Sequence, residues 1–412
     1  MNNILKKSYI GDICDINLST YSLSENWKFV NYLDTGNITK NKIENVQYID
    51  LSVDKLPSRA RRKVKQNNII YSTVRPNQMH YGILTQDIPE NFLVSTGFAV
   101  LDVDTTQADP YFVYYSLIRN DNTTALQAIA EQSTSAYPSI KPSNIKNREI
   151  LLPPLETQQK IASILSSIDD KIELNNSINN NLEQQAQVIF KSWFIDFEPF
   201  GGTMPNDWEI SKVENAVTFS QGVQVPVAQQ STTKENGYVQ FIRIIDLTQQ
   251  NTDIRYIPSC NRGNIDYDDI FMIRYGSPGI LGRNCRGIIA NNLFKIEPKI
   301  GLTKNYLFNY FNSSKIQDYI KQNAISSTMP AINFSTLYGK EIIIPTVDII
   351  EKFTRIDEIF RLKLLNINIE NQKLIQLRDT LLPKLMSGEI DVSEVDISTD
   401  KLLFSEEKYV NE

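Results

Sequence analysis

Apolar residues recur at three- and four-residue steps over two long stretches of the chain. From Leu155 to about Ser192 the stripe runs through Ile161, Ile164, Ile168, Ile172, Leu182 and Ile189. A second stretch carries Ile349, Phe353, Ile356, Phe360, Leu364, Ile367, Leu374, Leu377 and Leu381. Such steps put the side chains on one face of a helix, and sustained over five turns they favour helix-on-helix packing. Each stretch begins after a proline, whose fixed φ suits a first helical turn. The second meets stop signals at Leu382-Pro383 and Ser387-Gly388. A helix of ~36 residues is ~54 Å long and cannot bury such a stripe alone. The two are therefore expected to pack on each other, and to run antiparallel, because a globular segment joins them. Asn175, Asn176, Asn179, Asn180 and Asn181 interrupt the first stripe. They either fix the register of a seam or mark an exposed polar face.

The two stretches belong to an internal repeat with a shift of 192 residues. Arg148-Glu149-Ile150-Leu151-Leu152-Pro153 reappears as Lys340-Glu341-Ile342-Ile343-Ile344-Pro345, and Pro138, Ile140 and Ser143 as Pro330, Ile332 and Ser335. Without a gap the same shift carries Ile164, Lys171, Asn179 and Leu182 to Ile356, Lys363, Asn371 and Leu374. Upstream, Asp109-Pro110-Tyr111-Phe112 pairs more loosely with Lys304-Asn305-Tyr306-Leu307, with three residues inserted. A repeat of this period sets the architecture. Between the helices, β-branched and aromatic runs such as Ile69–Val74, Phe98–Leu101 and Tyr238–Arg243 alternate with turn formers and read as short strands. Short helices are expected near Tyr111–Arg119 and Tyr306–Tyr310. The fold class is α+β: two similar mixed α/β heads of about 140 residues and two long helices packed as an antiparallel coiled coil. The expected boundaries are 1–152 and 201–344 for the heads, 153–200 and 345–392 for the helical regions, and 393–412 for an acidic tail.

Charge follows the repeat. The 412 residues carry a net −6, but residues 1–150 sum to +1, 151–200 to −4, 201–340 to +3 and 341–412 to −6. The heads are neutral to basic and the helical regions acidic. No run of ~18 apolar residues exists to span a bilayer, and the opening Met1-Asn2-Asn3-Ile4-Leu5-Lys6-Lys7 lacks the features of a signal peptide. Three widely spaced cysteines, Cys14, Cys260 and Cys285, read as free thiols in a reducing cytoplasm.

Catalytic constellations are scarce. His80 is the one histidine, which leaves little scope for metal or His-based chemistry. Gly276-Ser277-Pro278-Gly279-Ile280-Leu281-Gly282 lacks the Gly-Lys-Ser/Thr ending of a phosphate-gripping loop. There is no G-x-G-x-x-G, and no Asn/Asp-Pro-Pro-aromatic stretch such as amino-methylating enzymes use to hold the target amine. Glu297-Pro298-Lys299, downstream of Asp266 and Asp268, imitates a nuclease's carboxylates and lysine, but Glu-x-Lys is a frequent tripeptide and the first copy has no counterpart. Neither catalytic nor metal residues are assigned.

Candidate DNA-binding residues are more numerous. Arg59, Arg61, Arg62, Lys63 and Lys65 lie within seven residues without an acid; such a run is either an ordinary solvated face or a density that neutralises phosphates and releases counterions. Arg75 and Lys141 add to this charge. The second head spreads Arg255, Arg262, Arg274, Arg283 and Arg286 around turns, where guanidinium forks suit guanine edges. Small and hydroxyl-rich segments at equivalent places, with Ser133, Thr134 and Tyr137 in one copy and Ser327 and Thr328 in the other, either approach DNA closely or simply connect a helix to the next strand.

The helix exit Phe190-Lys191-Ser192-Trp193-Phe194-Ile195-Asp196-Phe197-Glu198-Pro199 closely resembles the end of the central conserved region of type I restriction–modification specificity subunits. Leu381-Leu382-Pro383-Lys384-Leu385-Met386-Ser387-Gly388-Glu389-Ile390 resembles their C-terminal conserved region, and Leu152-Pro153-Pro154-Leu155-Glu156-x-Gln158-x-x-Ile161 resembles the start of their first helix. Trp193 and Phe194 thereby join the candidate helix and subunit interface. The resemblance implies a non-catalytic subunit with two target recognition domains that read a bipartite asymmetric sequence, and a coiled coil that sets the spacing. It also implies two methylation subunits, which carry S-adenosylmethionine and modify adenine, and motor–nuclease subunits that use ATP and magnesium. No cofactor is expected on this chain. The competing readings are a coiled-coil adaptor that never touches DNA and a self-sufficient nuclease or methyltransferase.

Overall fold

Strand-forming runs and their turn formers build a pair of four-stranded sheets twice, and the first head adds a small hairpin, Ile38–Thr39 with Lys42–Ile43. The computed structural model describes residues 5–85, 88–133, 137–248, 253–299, 301–324 and 330–395. In the first head, one four-stranded sheet has the order Gln47–Asp50, Phe29–Leu33, Phe92–Ser95, Ala60–Lys63, and a second has the order Cys14–Ile16, Phe98–Val103, Ile69–Ser72, Tyr81–Ile83. The second head repeats both. Arg255–Pro258, Tyr238–Ile242, Gly287–Ile289 and Asn264–Ile265 form one sheet, and Val217–Gln221, Leu293–Pro298, Ile270–Ile273 and Leu281–Gly282 the other. A parallel pairing recurs as well, Phe29–Leu33 with Phe92–Ser95 and Tyr238–Ile242 with Gly287–Ile289. A two-stranded ribbon closes each head just before its long helix, Lys6–Tyr9 with Glu149–Leu152 and Glu209–Lys212 with Glu341–Ile344.

The short helices are Pro110–Leu117 and Lys304–Asn312, each followed by a second helix beyond those expected, Asn120–Glu131 and Ser314–Asn323. Their N-caps correct the upstream alignment. The Asp109 carboxylate accepts from the Phe112 N–H, and the Thr303 hydroxyl accepts from the Tyr306 N–H. Asp109 thus matches Thr303, a shift of two residues beyond the repeat and not three, because the orphan N–H groups of a first turn demand an acceptor at this position.

The long helices span Leu155–Phe194 and Val347–Met386, 40 residues each, or ~60 Å. The second runs through Pro383 and stops at Met386, with Gly388 in the left-handed region at φ 75°. Pro383 lacks the N–H that would bond back to Asp379, yet the helix continues three residues beyond it, so Leu382-Pro383 is not the stop that the sequence suggested.

The chain forms two compact units, one holding residues up to Glu173 and from Asn371 onward, the other Leu174–Glu370. Each unit therefore contains one head and half of each long helix. Within both, the helices run antiparallel. In the first unit Asp169 pairs with Arg378 at 2.7 Å, while the Lys160 ammonium donates to the Ser393 carbonyl, beyond the end of the second helix. In the second unit Asn175 donates to Glu370 and Asn179 to Asn368, both at 2.9 Å, and Phe190 meets Phe353.

Burial on the first helix repeats every seven residues at Ile161, Ile168, Asn175 and Leu182, and on the second at Asp357, Leu364 and Asn371. This is a coiled-coil period. The helix ends enter the head cores. Ile161, Leu165, Leu385 and Met386 join the first with Phe112 and Ile150, and Phe190, Phe194, Ile350 and Phe353 join the second with Tyr306 and Ile342.

Candidate nucleic-acid interface

The basic run Arg59–Lys65 lies along an edge strand. Ala60–Lys63 pairs with Phe92–Ser95 on one side, and on the other only an isolated bridge joins Arg62 to Thr20. Ala60 is buried and anchors the strand, while Arg59 and Lys65 are exposed and Arg61, Arg62 and Lys63 partly so. The cations are not equivalent. Lys63 is bound to Glu25 and lies 5.0 Å from the centre of the Trp27 ring. The Glu25 carboxyl is held below its ordinary value, chiefly by that Lys63 hydrogen bond and also by the Ser22 N–H. Lys65 reaches Asp102 at 2.8 Å but stays largely exposed, and Arg62 Nε is buried with no hydrogen-bond partner among the described residues. Arg59, Arg61 and Lys65 are thus the most accessible charges of the run.

Arg75 is drawn to Tyr137, another sequence candidate, across sixty residues of chain. Its guanidinium lies 4.9 Å from the centre of the Tyr137 ring, and Tyr137 is exposed. Lys141 is exposed, and Ser133 is half-buried and accepts from the Ser139 N–H. Thr134, Ser327 and Thr328 lie outside the described residues.

In the second head the five arginines separate into two kinds. Arg262 and Arg286 are exposed, and Arg262 lines a cleft of about 430 Å³ with Ser220, Asn261, Lys295 and Glu297. The other three are engaged by partners within the protein. Arg255 pairs with Asp253 at 2.9 Å. Arg274 donates to the Ile332 carbonyl and the Asn333 side chain and lies over Tyr275 and Phe334. Arg283 is largely withdrawn from solvent: its side chain is 9% exposed, 3.3 Å from Asp357, and its guanidinium lies 3.8 Å from the centre of the Phe308 ring. Burial lowers the Arg283 pKa against the opposing pull of Asp357, and burial raises the Glu183 carboxyl against the pull of Arg283. Arg283 therefore serves the attachment of head to helix, and no spacing rule in the sequence separates it from its exposed neighbours.

The nuclease-like carboxylates do not assemble. Glu297 pairs with Lys295, Lys299 donates to the Glu214 carbonyl, Asp268 binds Lys304, and Asp266 lies 3.9 Å from Arg286. Cys14, Cys260 and Cys285 are all free, and burial pushes the Cys14 and Cys285 thiols up to about 12, far from the thiolate form.

Of the candidate interface residues on the helices, Ile161, Ile168, Leu182, Phe194, Phe353 and Leu364 are buried, and Ile164, Ile172, Ile189, Trp193, Ile356, Phe360, Ile367, Leu374 and Leu381 partly buried. Leu165, Ala186 and Phe190 are also buried. They continue the three- and four-residue steps, so the stripe could have disclosed them. The buried polar members Gln158 and Asp357 carried no such signal. Outside the seam, Leu174, Ile178, Val188, Ile359, Leu362 and Ile369 remain exposed.

Residues 5–184 and 205–378 each match the family described as type I restriction modification DNA specificity domain. The chain is 28% identical to the type I restriction enzyme HindI specificity subunit of Haemophilus influenzae, over 87% of its own length and 94% of that protein's. It is 29% identical to the type I restriction enzyme MjaIX specificity subunit of Methanocaldococcus jannaschii, over 69% and 70% of the two chains. The fold is similar to that of the S subunit of a type I restriction-modification system from M. genitalium, with a TM-score of 0.53 and 18% identity over 93% of this chain and 97% of that one.

Proposed function

The chain belongs to the type I restriction modification DNA specificity family, and from that premise we propose that each head reads one half of a bipartite, asymmetric DNA sequence. The observation that carries this reading is a duplicated sheet topology with unlike surface chemistry. One head offers a basic edge strand with Arg59, Arg61 and Lys65, and the other offers Arg262 and Arg286 at turns. Equal frames with different side chains suit two half-sites of different sequence.

The chain works as a non-catalytic subunit in the cytoplasm. The apolar residues left exposed on the long helices, Leu174, Ile178 and Val188 on one and Ile359, Leu362 and Ile369 on the other, support docking of two methylation subunits. Those subunits carry S-adenosylmethionine and methylate adenine, and motor–nuclease subunits that use ATP and magnesium complete the enzyme. The described residues contain no helix long and apolar enough to cross a membrane and no group of acids, His and Cys placed to hold a metal ion.

The experiment is binding of the chain, assembled with its methylation partners, to duplexes of varied sequence at several salt concentrations. The expected result is preference for a split site and affinity that falls steeply with salt. Failure to bind duplex DNA would favour a protein adaptor. Cleavage or methylation by the purified chain alone, with metal and cofactor, would favour a self-sufficient enzyme.

A further inference from the structure

Both heads close the same pair of loops with the same backbone links. In the first, Arg75 N–H donates to the Pro138 carbonyl at 2.9 Å, Ile140 N–H donates to the Thr73 carbonyl at 2.8 Å, and Val74 bridges Ser139. In the second, Gly276 N–H donates to Pro330 at 2.8 Å, Ile332 N–H donates to Arg274 at 3.1 Å, and Tyr275 bridges Ala331. Pro138 and Pro330, and Ser139 and Ala331, are related by the repeat, so the two clasps are equivalent.

The turn that leaves each clasp uses two left-handed residues. In the second head they are Gly276 at φ 82° and Gly279 at φ 98°. In the first they are Arg75 at φ 47° and Met79 at φ 57°. Glycine adopts this conformation freely, whereas a residue with a Cβ is strained in it. Where the second head places Gly276 at the exit of the clasp, the first holds an arginine in the left-handed region. Strain of this kind collects where the placement of a side chain matters.

What the strain places is a guanidinium over an exposed ring. Tyr137 is 60% exposed, and the partly exposed Arg75 guanidinium lies over its ring at 4.9 Å, a contact that does not consume the guanidinium's N–H hydrogen bonds. Among the described residues no carboxylate pairs with Arg75. The turn beneath is braced: the Asn77 N–H donates to the Gln127 side chain, and the Met79 N–H to the Pro76 carbonyl. In the second head, Arg274 is committed to the clasp itself, and the glycine turn offers no side chain in the place of Arg75.

We propose that Arg75, stacked on Tyr137, is a specificity-determining residue of the first head, whose guanidinium fork reads a guanine edge in one half-site. The inference rests on the reading of the chain as a DNA specificity subunit. Arg forks match the paired acceptors of guanine, and lysine does not reproduce that geometry.

The test uses the chain assembled with its methylation partners and a duplex library randomised across the site. Arg75→Gly installs the residue of the second head and relieves the backbone, so its melting temperature should equal or exceed wild type. Preference for guanine at one position of one half-site should fall by about tenfold or more, with the other half-site and the spacer unchanged. Arg75→Lys, which keeps the charge, should relax the same position while affinity for duplexes lacking that guanine stays close to wild type. Unaltered preference in both variants would overturn the proposal, as would a loss of affinity uniform over all sequences, the mark of a phosphate contact. A wild-type complex with no sequence preference at all would remove the underlying reading and the inference with it.

Discussion

Arg283 lies 3.3 Å from Asp357 on the second long helix, with both side chains almost sealed from water. Asn309 and Asn305 donate to the same carboxylate at 2.7 and 2.9 Å, and Gln187 of the first helix holds Asn309 in turn at 2.8 Å. The first unit fastens head to helix differently. Tyr115, which stands where the cap alignment puts Asn309, donates to Asp169, and Asp169 is also bound by Arg378. Both devices spend polar groups at a joint where one repeat copy could have used carbon, since the position of Asp357 is Leu165 in the first copy. A buried ion pair adds little net stability but orients its partners, and losing one member strands the other.

Asp357→Leu should therefore destabilise the protein by about 3–5 kcal/mol, because Arg283 is left buried and unpaired. Adding Arg283→Met should recover part of that loss, with Asn305 and Asn309 still short of an acceptor. Urea denaturation of the two variants measures this, and equal midpoints for the single and double variants would contradict it.

Asn175 occupies a buried seam position between Ile168 and Leu182. Asn175→Leu should raise stability by about 1–3 kcal/mol through apolar burial, while removing a polar device that fixes register. The expected signature is a higher urea midpoint together with a less stringent spacer in the methylated sites. A lower midpoint would show that the asparagine is required for packing.

Asp269 reports on acid stability. Burial pushes its carboxyl up, but hydrogen bonds from Lys304 and Lys295, with the Asp266 N–H, outweigh burial and hold it below the usual carboxylate range. A depressed folded-state pKa contributes stability that is present above the unfolded value, ~3.9 for aspartate, and is lost as pH falls through the folded value. The wild type should lose this contribution below about pH 4, and Asp269→Asn should show a flatter loss over the same window in acid-unfolding curves. Parallel curves would count against the assignment.

The spacer tests the helices. Adding four residues beside Asn179 should lengthen the unread stretch between the half-sites and leave both half-sites as they were. Methylation mapping distinguishes this from the opposite result, altered half-sites with an unchanged spacer.

The sequence by itself determined the repeat, the two long helices and their pairing, because a periodicity sustained over forty residues leaves one apolar face to be buried, and the globular segment that joins them pointed to the antiparallel sense. It also held the signature of the family, in local runs such as Phe190–Pro199. The equivalence of the two sheet systems was not legible, because short strands are specified by cross-strand neighbours and not by local pattern, and the heads share topology with little shared sequence. Nor could charge alone sort the arginines. Arg262 and Arg283 stand alike in the sequence, and only the tertiary fold brings Asp357 beside one and leaves the other at a cleft in water. The same holds for Arg75 and Tyr137, which a backbone clasp joins across sixty residues.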